Sequence, residues 1–211
     1  CLITFSMEII LNEFPDLNDF QIGQLSKLKG IYQYWNSKIN VISRKDIENI
    51  YVRHILHSLV IAKFIKFRKG TTILDLGTGG GFPGIPLSII FPDSNFILVD
   101  SIKKKLIVVE EVIKELELKN VKYKWSRAEN LNFSYDFLVT RAVAKMPLLV
   151  KWSKGKFNKT SSNQIPNGII ALKGGDIKDE LVDIKEKKIV DIKNIFDVNY
   201  FYDKKIIYVP M

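Results

Sequence analysis

ILDLGTGGGFPGIPLSIIFPD, residues 73–93, joins a short apolar run to a second apolar run through a loop of glycines and prolines. The first run is typical of a β-strand and the second of a helix. Gly77, Gly79 and Gly81 supply the positive φ, or the missing Cβ, that close approach of the backbone to a ligand requires. A strand that ends in glycines before a helix points backbone N–H groups at that ligand. The stretch therefore predicts a cofactor-binding turn between a strand and a helix.

Two cofactor classes compete for this loop. Gly79, Gly81 and Gly84 fit the G-x-G-x-x-G pattern of dinucleotide-binding proteins, which is a weak signal alone. Asp75 and the glycines after it fit the acidic-x-G-x-G-x-G loop of S-adenosylmethionine (SAM) methyltransferases, with Asp75 placed to contact a cationic amine through bound water. Asp100 ends the next predicted strand and can accept from both ribose hydroxyls, as it also could in an NAD protein. Too little chain remains for the substrate domain of a dehydrogenase, and no G-K-[ST] follows the glycines. The pattern therefore favours SAM and excludes a P-loop.

Strand and helix patterns alternate from Gly70 onward. The β-rich runs are residues 71–77, 95–100, 121–131, 135–143, 168–175 and 204–211, and helical patterns cover residues 85–91 and 103–116. This alternation predicts an α/β fold, a doubly wound, mostly parallel, Rossmann-like sheet with helices on both faces. The late strands lack a long helix between them, which indicates an antiparallel pair at one edge. Residues 153–168 are polar, basic and rich in breakers, and are predicted to form a loop.

Before this sheet, apolar residues recur at helical spacing. After Asp19 they are Ile22, Leu25, Leu28, Tyr32, Trp35 and Ile39, and after Asp46 they are Ile50, Ile55, Leu59 and Ala62. The spacing predicts two amphipathic helices, with Trp35 packed in the core. We therefore predict a helical extension over residues 1–66 and a SAM-dependent methyltransferase domain over residues 67–211.

The chain is basic, with 32 Lys and Arg against 23 Asp and Glu, a formal net charge of +9. A basic balance favours a polyanionic partner such as nucleic acid, and a Lys-rich composition that coats ordinary solvated surfaces is the alternative. No apolar run approaches the roughly 20 residues that span a bilayer. The single cysteine, Cys1, permits no internal disulfide. We expect a cytoplasmic monomer whose natural start is Met7, with no membrane contact.

Five segments resemble the bacterial GidB/RsmG family. They are DLGTGGGFPGIPLSIIFPD (75–93), VRHILHS (52–58), SRAENL (126–131), TRAVA (140–144) and ALKGG (171–175). Members of this family are SAM-dependent methyltransferases that modify N7 of a guanine in 16S, small-subunit, ribosomal RNA. The resemblance implies that Gly77 and Phe82 line the SAM site, that Ala128 and Glu129 lie against the adenine, and that Arg141 completes the pocket. Two features depart from the family pattern, since the 153–168 loop is longer than usual and the chain after Gly175 matches only loosely.

Residue types that other methyl transfers require are missing from the sequence. The position of the Asn/Asp-Pro-Pro-aromatic motif of amino-directed enzymes reads TRAVAKMP, residues 140–147. Cys1 is an implausible nucleophile for pyrimidine carbon methylation, and the only histidines, His54 and His57, belong to no metal-ligand cluster. Guanine N7 carries a lone pair and no proton, so no general base and no metal are expected. The alternatives are a methyltransferase for another RNA or for protein, and a non-catalytic nucleotide- or RNA-binding module.

The candidate site residues fall into two groups. The predicted cofactor contacts are Asp75, Gly77, Gly79, Gly81, Phe82, Asp100, Ala128, Glu129 and Arg141. The predicted RNA contacts are Arg53, His54, Lys103, Lys104, Lys105 and Lys173. Each has a purely structural alternative: a half-buried helix histidine, a buried ion pair for Arg141, a helix-start acid for Glu129, and solvated surface lysines. Phe82 and Arg141 are further candidates to stack on the target base, and Arg141 and Lys173 to contact the substrate.

Overall fold

A seven-stranded sheet organises the chain, in a computed structural model that describes residues 7–43 and 45–211. The strands are β1 (Thr72–Leu76), β2 (Asn95–Asp100), β3 (Val121–Trp125), β4 (Phe137–Arg141), β5 (Gly168–Gly174), β6 (Lys188–Asp191) and β7 (Lys204–Pro210). Their order is β3-β2-β1-β4-β5-β7-β6. The first five strands are parallel, and β7 runs antiparallel to both β5 and β6. The predicted mostly parallel sheet with an antiparallel edge is confirmed.

The helices follow the same alternation. They are α1 (Glu8–Glu13), α2 (Asp19–Asn36), α3 (His57–Phe64), α4 (Gly84–Ile90), α5 (Lys103–Glu115) and α6 (Met146–Ser153). Short 3₁₀ turns cover Ile47–Asn49, Ala128–Asn130, Asp179–Leu181, Ile192–Asn194 and Asn199–Phe201, and a π-helix covers Tyr51–Leu56. Asn18 begins α2 with a capping box. Its side chain accepts from the backbone N–H of Gln21, and the side chain of Gln21 accepts from the backbone N–H of Asn18. No helix in the described part of the chain is long and apolar enough to cross a membrane.

Both faces of the sheet are covered. Alternate residues of β1, such as Ile73 and Leu74, belong to two different buried clusters. The first cluster joins one face of the sheet to α2, α3, α4 and α5, and contains residues from both predicted domains, from Ile10 to Tyr208. The second cluster joins the other face to α6 and to the 3₁₀ turn at Asp179–Leu181. Burial on both faces explains the nearly continuous apolar runs of the parallel strands.

The strand order reverses at β1. β2 lies on one side of β1 and β4 on the other, so the crossovers after β1 and β3 lead to opposite sides. The gap this leaves at the carboxyl end of β1 is where ligands bind in doubly wound sheets. The glycine loop starts there, directly after Leu76.

Three expectations about the helices need correction. The helix predicted from Asp46 is irregular: a 3₁₀ turn and a π-helix precede α3. Ile39 lies beyond the end of α2 at Asn36, and Trp35 is only partly buried. Helices α1 and α6 and strand β6 were not predicted. The predictions that concern Cys1 and the other residues before Met7 lie outside the described part of the chain.

Gly168 is required by close contact between strands. A Cβ added there would lie 2.3 Å from the carbonyl oxygen of Val209 and 3.0 Å from Cα of Pro210, both backbone atoms of β7. Gly168→Ala should therefore lower the free energy of unfolding by about 2–3 kcal/mol in urea titrations. Gly30→Ala is the control, because a Cβ at this helical position meets nothing within 4 Å. It should raise stability by up to about 1 kcal/mol, and equal losses in both variants would contradict the argument.

Candidate functional site

The glycine loop leaves β1 in a left-handed conformation. The φ angles of Gly77, Gly79 and Gly81 are +67°, +59° and +104°, as their spacing predicted. The backbone N–H groups of Gly77 and Thr78 donate to the carbonyl of Val99 in β2, at 2.8 and 3.0 Å. The loop is thus attached to the neighbouring strand before it turns into α4.

Asp75 holds this loop from behind. Its side chain is fully buried, and one carboxylate oxygen accepts from the hydroxyl of Thr78 at 2.6 Å and from the backbone N–H of Gly84 at 2.8 Å. The other oxygen has no hydrogen-bond partner within the described chain. Burial is the main reason that the pKa of Asp75 rises to about 7. Asp75 lines neither part of the cleft described below. Its carboxylate therefore cannot touch a cofactor amine directly and can act on it only across the glycine loop.

Asp100 lies at the carboxyl end of β2, beside the loop. One carboxylate oxygen accepts from the N–H of Gly79 at 2.9 Å, and the other accepts from the N–H of Ile102 at 2.8 Å. Each oxygen keeps a second lone pair, which matches two ribose hydroxyls. The two backbone bonds also restrict the orientation of the carboxylate.

A cleft in two parts follows the carboxyl edge of the sheet. The larger part, about 430 Å³, is lined by Val41, Gly77, Thr78, Gly79, Gly80, Phe82, Asp100, Ser101, Ile102, Lys105, Arg141, Ala142 and Val143. The smaller part, about 160 Å³, is lined by Leu76, Gly77, Val99, Asp100, Ser101, Ser126, Arg127, Ala128, Glu129, Val143 and Trp152. Gly77, Asp100, Ser101 and Val143 belong to both parts. Seven of the nine predicted cofactor contacts line this cleft, Asp75 and Gly81 do not, and the roles of all nine stay predictions.

Gly77 needs its missing side chain for this geometry. A Cβ there would lie 2.3 Å from a methyl carbon of Val143, which follows β4. The loop after β4 therefore packs directly against the glycine loop, and the two loops together form the floor between the two parts of the cleft. Ala142 adopts a φ of +54°, which places Val143 in this position.

The connection after α2 supplies a wall that the sequence analysis missed. Val41 lines the cleft, and its side chain lies 2.9 Å from the place a Cβ would take on Gly80. Asn36 fixes this connection, because its amide donates to the carbonyl of Ile42 at 2.8 Å and accepts from the N–H groups of Val41 and Ile42. Tyr32 of α2 donates to the carbonyl of Gly80 at 2.6 Å. The helical extension is thus part of the site.

Arg141 lies in a cluster of neutral groups at one end of the cleft. Its guanidinium donates to Nδ1 of His54 at 2.8 Å and to the carbonyl of Arg53 at 3.2 Å, and lies 5.4 Å from the centre of the Phe82 ring. Burial, and then the Arg141 charge, lowers the pKa of His54 to about 3, so the imidazole is neutral and accepts. Arg141 itself remains a cation that faces the cleft.

The π-helix explains how the carbonyl of Arg53 becomes available. The N–H of His57 donates to the carbonyls of Val52 and His54, and bypasses Arg53, its usual partner four residues back. The Arg53 carbonyl accepts instead from Arg141 and, at 3.4 Å, from the hydroxyl of Tyr200. The irregular helix is therefore part of the site, where π-turns often occur.

The predicted RNA contacts have different surroundings. The ammonium of Lys173 is paired with Glu180 at 2.9 Å and donates to the carbonyl of Ala144 at 2.5 Å, in a half-buried position. This disagrees with a free phosphate contact, because both partners are protein groups that hold the loop after β4. The guanidinium of Arg53 pairs with Asp46. Lys103, Lys104 and Lys105 begin α5 and make no ion pair with any described residue.

Lysines at the start of a helix lie near the positive end of its dipole, and this unfavourable interaction destabilises the helix slightly. The three lysines are therefore not explained by the stability of α5.

The described residues hold no cluster of metal ligands: within residues 7–43 and 45–211, no group of three or more His, Cys, Asp and Glu side chains is placed to hold a metal ion.

Comparison with known proteins places this chain among ribosomal RNA enzymes. A family model described as rRNA small subunit methyltransferase G, GidB, matches residues 21–206. The protein named ribosomal RNA small subunit methyltransferase G of Flavobacterium psychrophilum is 53% identical over 97% of this chain and 98% of its own length. The protein of the same name from Bacteroides thetaiotaomicron is 50% identical over 96% and 98%.

Solved structures resemble the fold at much lower identity. Precorrin-6y C5,15-methyltransferase from Geobacter metallireducens GS-15 matches with a TM-score of 0.56 and 10% identity, over 82% of this chain and 92% of that one. MtNAS, solved in complex with S-adenosylmethionine, matches with a TM-score of 0.53 and 12% identity, over 98% and 83%. These similarities support the Rossmann-like methyltransferase fold.

Asn36→Ala should weaken binding of S-adenosylhomocysteine (SAH) by about tenfold in calorimetry. The substitution removes the three hydrogen bonds that hold Val41 against Gly80, and each is worth about 1 kcal/mol. Asn120→Ala is the matched control. Its amide also donates to three backbone carbonyls, but at the amino ends of the strands, away from the cleft. It should cost similar stability and leave SAH affinity unchanged; equal losses of affinity would disprove a specific role for Asn36.

The affinity for SAH should also depend on pH through Asp75. The folded-state pKa of about 7 is above the usual 3.8, so the folded protein keeps a proton that the unfolded chain releases. The contribution of Asp75 to the stability of the free protein should therefore fall as pH rises from about 4 to about 7, while the lowered pKa of His54 contributes in the opposite direction. An ammonium group near the loop favours the ionised carboxylate, so SAH binding should tighten as pH rises through about 7.

Asp75→Asn separates this effect from ionisation of SAH itself. The amide oxygen can still accept from Thr78 and Gly84, but it does not ionise. The pH dependence that remains in the variant belongs to the ligand. Parallel pH profiles in the two proteins would exclude Asp75 from cofactor binding.

Proposed function

The chain belongs to the rRNA small subunit methyltransferase G family, and we propose from this that it transfers a methyl group from SAM to N7 of a guanine in 16S ribosomal RNA. The observation that carries the proposal is the cleft at the carboxyl end of β1, where the glycine loop and Asp100 meet. It lies in the middle of the region that the family model matches.

The chemistry requires alignment rather than acid–base help. SAM supplies an activated methyl group on a sulfonium, and the guanine N7 lone pair forms the new N–C bond as the S–C bond breaks. No proton leaves guanine N7, so a base would have nothing to remove. Holding the reactants in line can contribute roughly 7–11 kcal/mol, which is the part that a rigid cleft supplies.

The described residues fit this donor. Asp100 presents two lone pairs for ribose hydroxyls, and Ala128 and Glu129 line the narrow part of the cleft beside it, where an adenine would lie. The carboxylate of Asp75 lies buried behind the glycine loop, where its charge would favour the ammonium of the methionine half without direct contact. SAM held by these residues would present its methyl group to the end of the cleft that Arg141 and Phe82 line.

Arg141 is the group we place nearest the acceptor base. Its cation is fixed by His54 and the carbonyl of Arg53, and both partners are neutral. A fixed guanidinium of this kind is the most common side-chain partner of guanine. It would donate to O6, because a bond to N7 would occupy the lone pair that reacts.

The net charge of +9 supports an RNA acceptor, and binding should weaken steeply with salt. A place in the cytoplasm, with the small subunit or its RNA as partner, follows from this proposal. We propose that the protein acts as a monomer.

The acceptor can be tested with labelled SAM on bare 16S RNA, isolated small subunits and whole ribosomes from cells that lack the enzyme. The label should appear in 7-methylguanosine after digestion to nucleosides. Asp100→Ala should lose most of this activity, because SAM binding fails without the ribose contacts.

Each other outcome identifies an alternative. Label in a different nucleoside would refute N7 chemistry, and label in protein would refute an RNA acceptor. SAH binding without any transfer to the three substrates would favour a non-catalytic binding module.

A further inference from the structure

Phe82 is poorly placed to stack on a nucleotide. Its ring is 3% exposed, and the rings of Tyr32 and His54 lie 4.9 and 5.0 Å from its centre. Arg141 covers a further part of the ring. RNA recognition usually relies on unstacked bases that pack on aromatic side chains or arginine planes, so an exposed ring beside the cleft is a better candidate for this contact than Phe82.

Trp125 is exposed beside the cleft. It ends β3, the edge strand of the sheet, and 60% of it is accessible to solvent. Tyr123 and Ile102 are 41% and 50% exposed. Tyr123 and Trp125 pair with Leu98 and Asp100 of β2, so both side chains lie on the face of the sheet that α5 covers. We call Ile102, Lys103, Tyr123 and Trp125 the Trp125 surface.

The ring of Trp125 is held in place. Its indole N–H donates to the carbonyl of Ser101 at 2.9 Å, and Ser101 lines both parts of the cleft. This bond attaches the ring to the rim of the cofactor site. Three strand spacings of about 4.8 Å separate β3 from β4, so Trp125 lies about 14 Å along the edge from Arg141. A few extended nucleotides can span that distance.

The charge around Trp125 is complementary to RNA. The ammonium of Lys103 lies 5.3 Å from the centre of the indole ring, and Lys105 lines the cleft. Lys104 and Lys122 are exposed, and no described residue pairs with them. The nearby carboxylates of α5, Glu110 and Glu111, are already engaged by Lys114, and Glu110 also by Tyr123.

We propose that the Trp125 surface binds unpaired nucleotides that flank the target guanine, with one base stacked on Trp125 and its phosphates near Lys103. The identity of the RNA rests on the proposed function, whereas the stacking contact stands on the geometry of the surface. An exposed aromatic ring with lysines around it is the usual construction of a single-strand binding platform.

Binding of a fluorescent single-stranded oligoadenylate of about 12 nucleotides tests the surface directly. Trp125→Ala should weaken binding about 5- to 100-fold, the range expected for loss of one stacked base, and Trp125→Phe should retain most of it. Binding of heparin, a polyanion without bases, should stay unchanged. The matched control is Phe20→Ala. It removes an aromatic residue that is 67% exposed and lies near the amino ends of the strands, away from the cleft.

Methylation assays add a second readout. Trp125→Ala should raise the KM for small subunits by a similar factor while the Kd for SAH stays constant. A weaker SAH affinity would assign Trp125 to the adenosine pocket, and equal losses for heparin or in Phe20→Ala would assign the effect to charge or folding; either result overturns the proposal. If the wild-type protein binds oligoadenylate through Trp125 but methylates no RNA, the proposed function is refuted, whereas the proposed role of the Trp125 surface in nucleotide binding is retained.

Discussion

The buried carboxylate of Asp75 is the contact on which the site depends. It joins the end of β1 to both ends of the glycine loop, through the hydroxyl of Thr78 and the N–H of Gly84. Gly84 has no room for a side chain, because a Cβ would lie 2.7 Å from Asp75. A buried carboxylate without a paired cation is costly, and the same burial raises the pKa of Asp75 to about 7. The loop that this carboxylate fixes lines the candidate cofactor cleft.

Chain segments from outside the parallel sheet complete the cleft. Tyr32 and Val41 come from the extension and touch Gly80, while Arg53 and His54 hold Arg141. These contacts join residues that are about 40 to 90 positions apart in the chain. The extension therefore forms one wall of the cleft and sets the position of the Arg141 guanidinium. Its removal would expose the cleft, so the extension is a part of the site and not an accessory domain.

The sequence predicts best what depends on neighbouring residues. The glycine turn follows from its local pattern, and the mostly parallel sheet follows from the alternation of strands and helices. The irregular helix before α3 could not be predicted, because its wider turn frees the carbonyl of Arg53 for Arg141 and Tyr200, 88 and 147 residues away. Lys173 resembled a phosphate ligand for the same reason, since its partner Glu180 is visible only in the fold. Val41 lies in a connection with no periodic pattern.

Charge conservation explains why the site can be built largely from neutral groups. The reaction moves one positive charge from sulfur to the purine, and no proton is exchanged, so the net charge of the reacting pair stays constant. Such a site does not need a general base or a cluster of countercharges; it needs fixed distances. His54 serves this requirement, because a neutral imidazole can orient Arg141 without cancelling its charge. Protonation of His54 would place two cations at hydrogen-bond distance, and burial together with Arg141 prevents this at neutral pH.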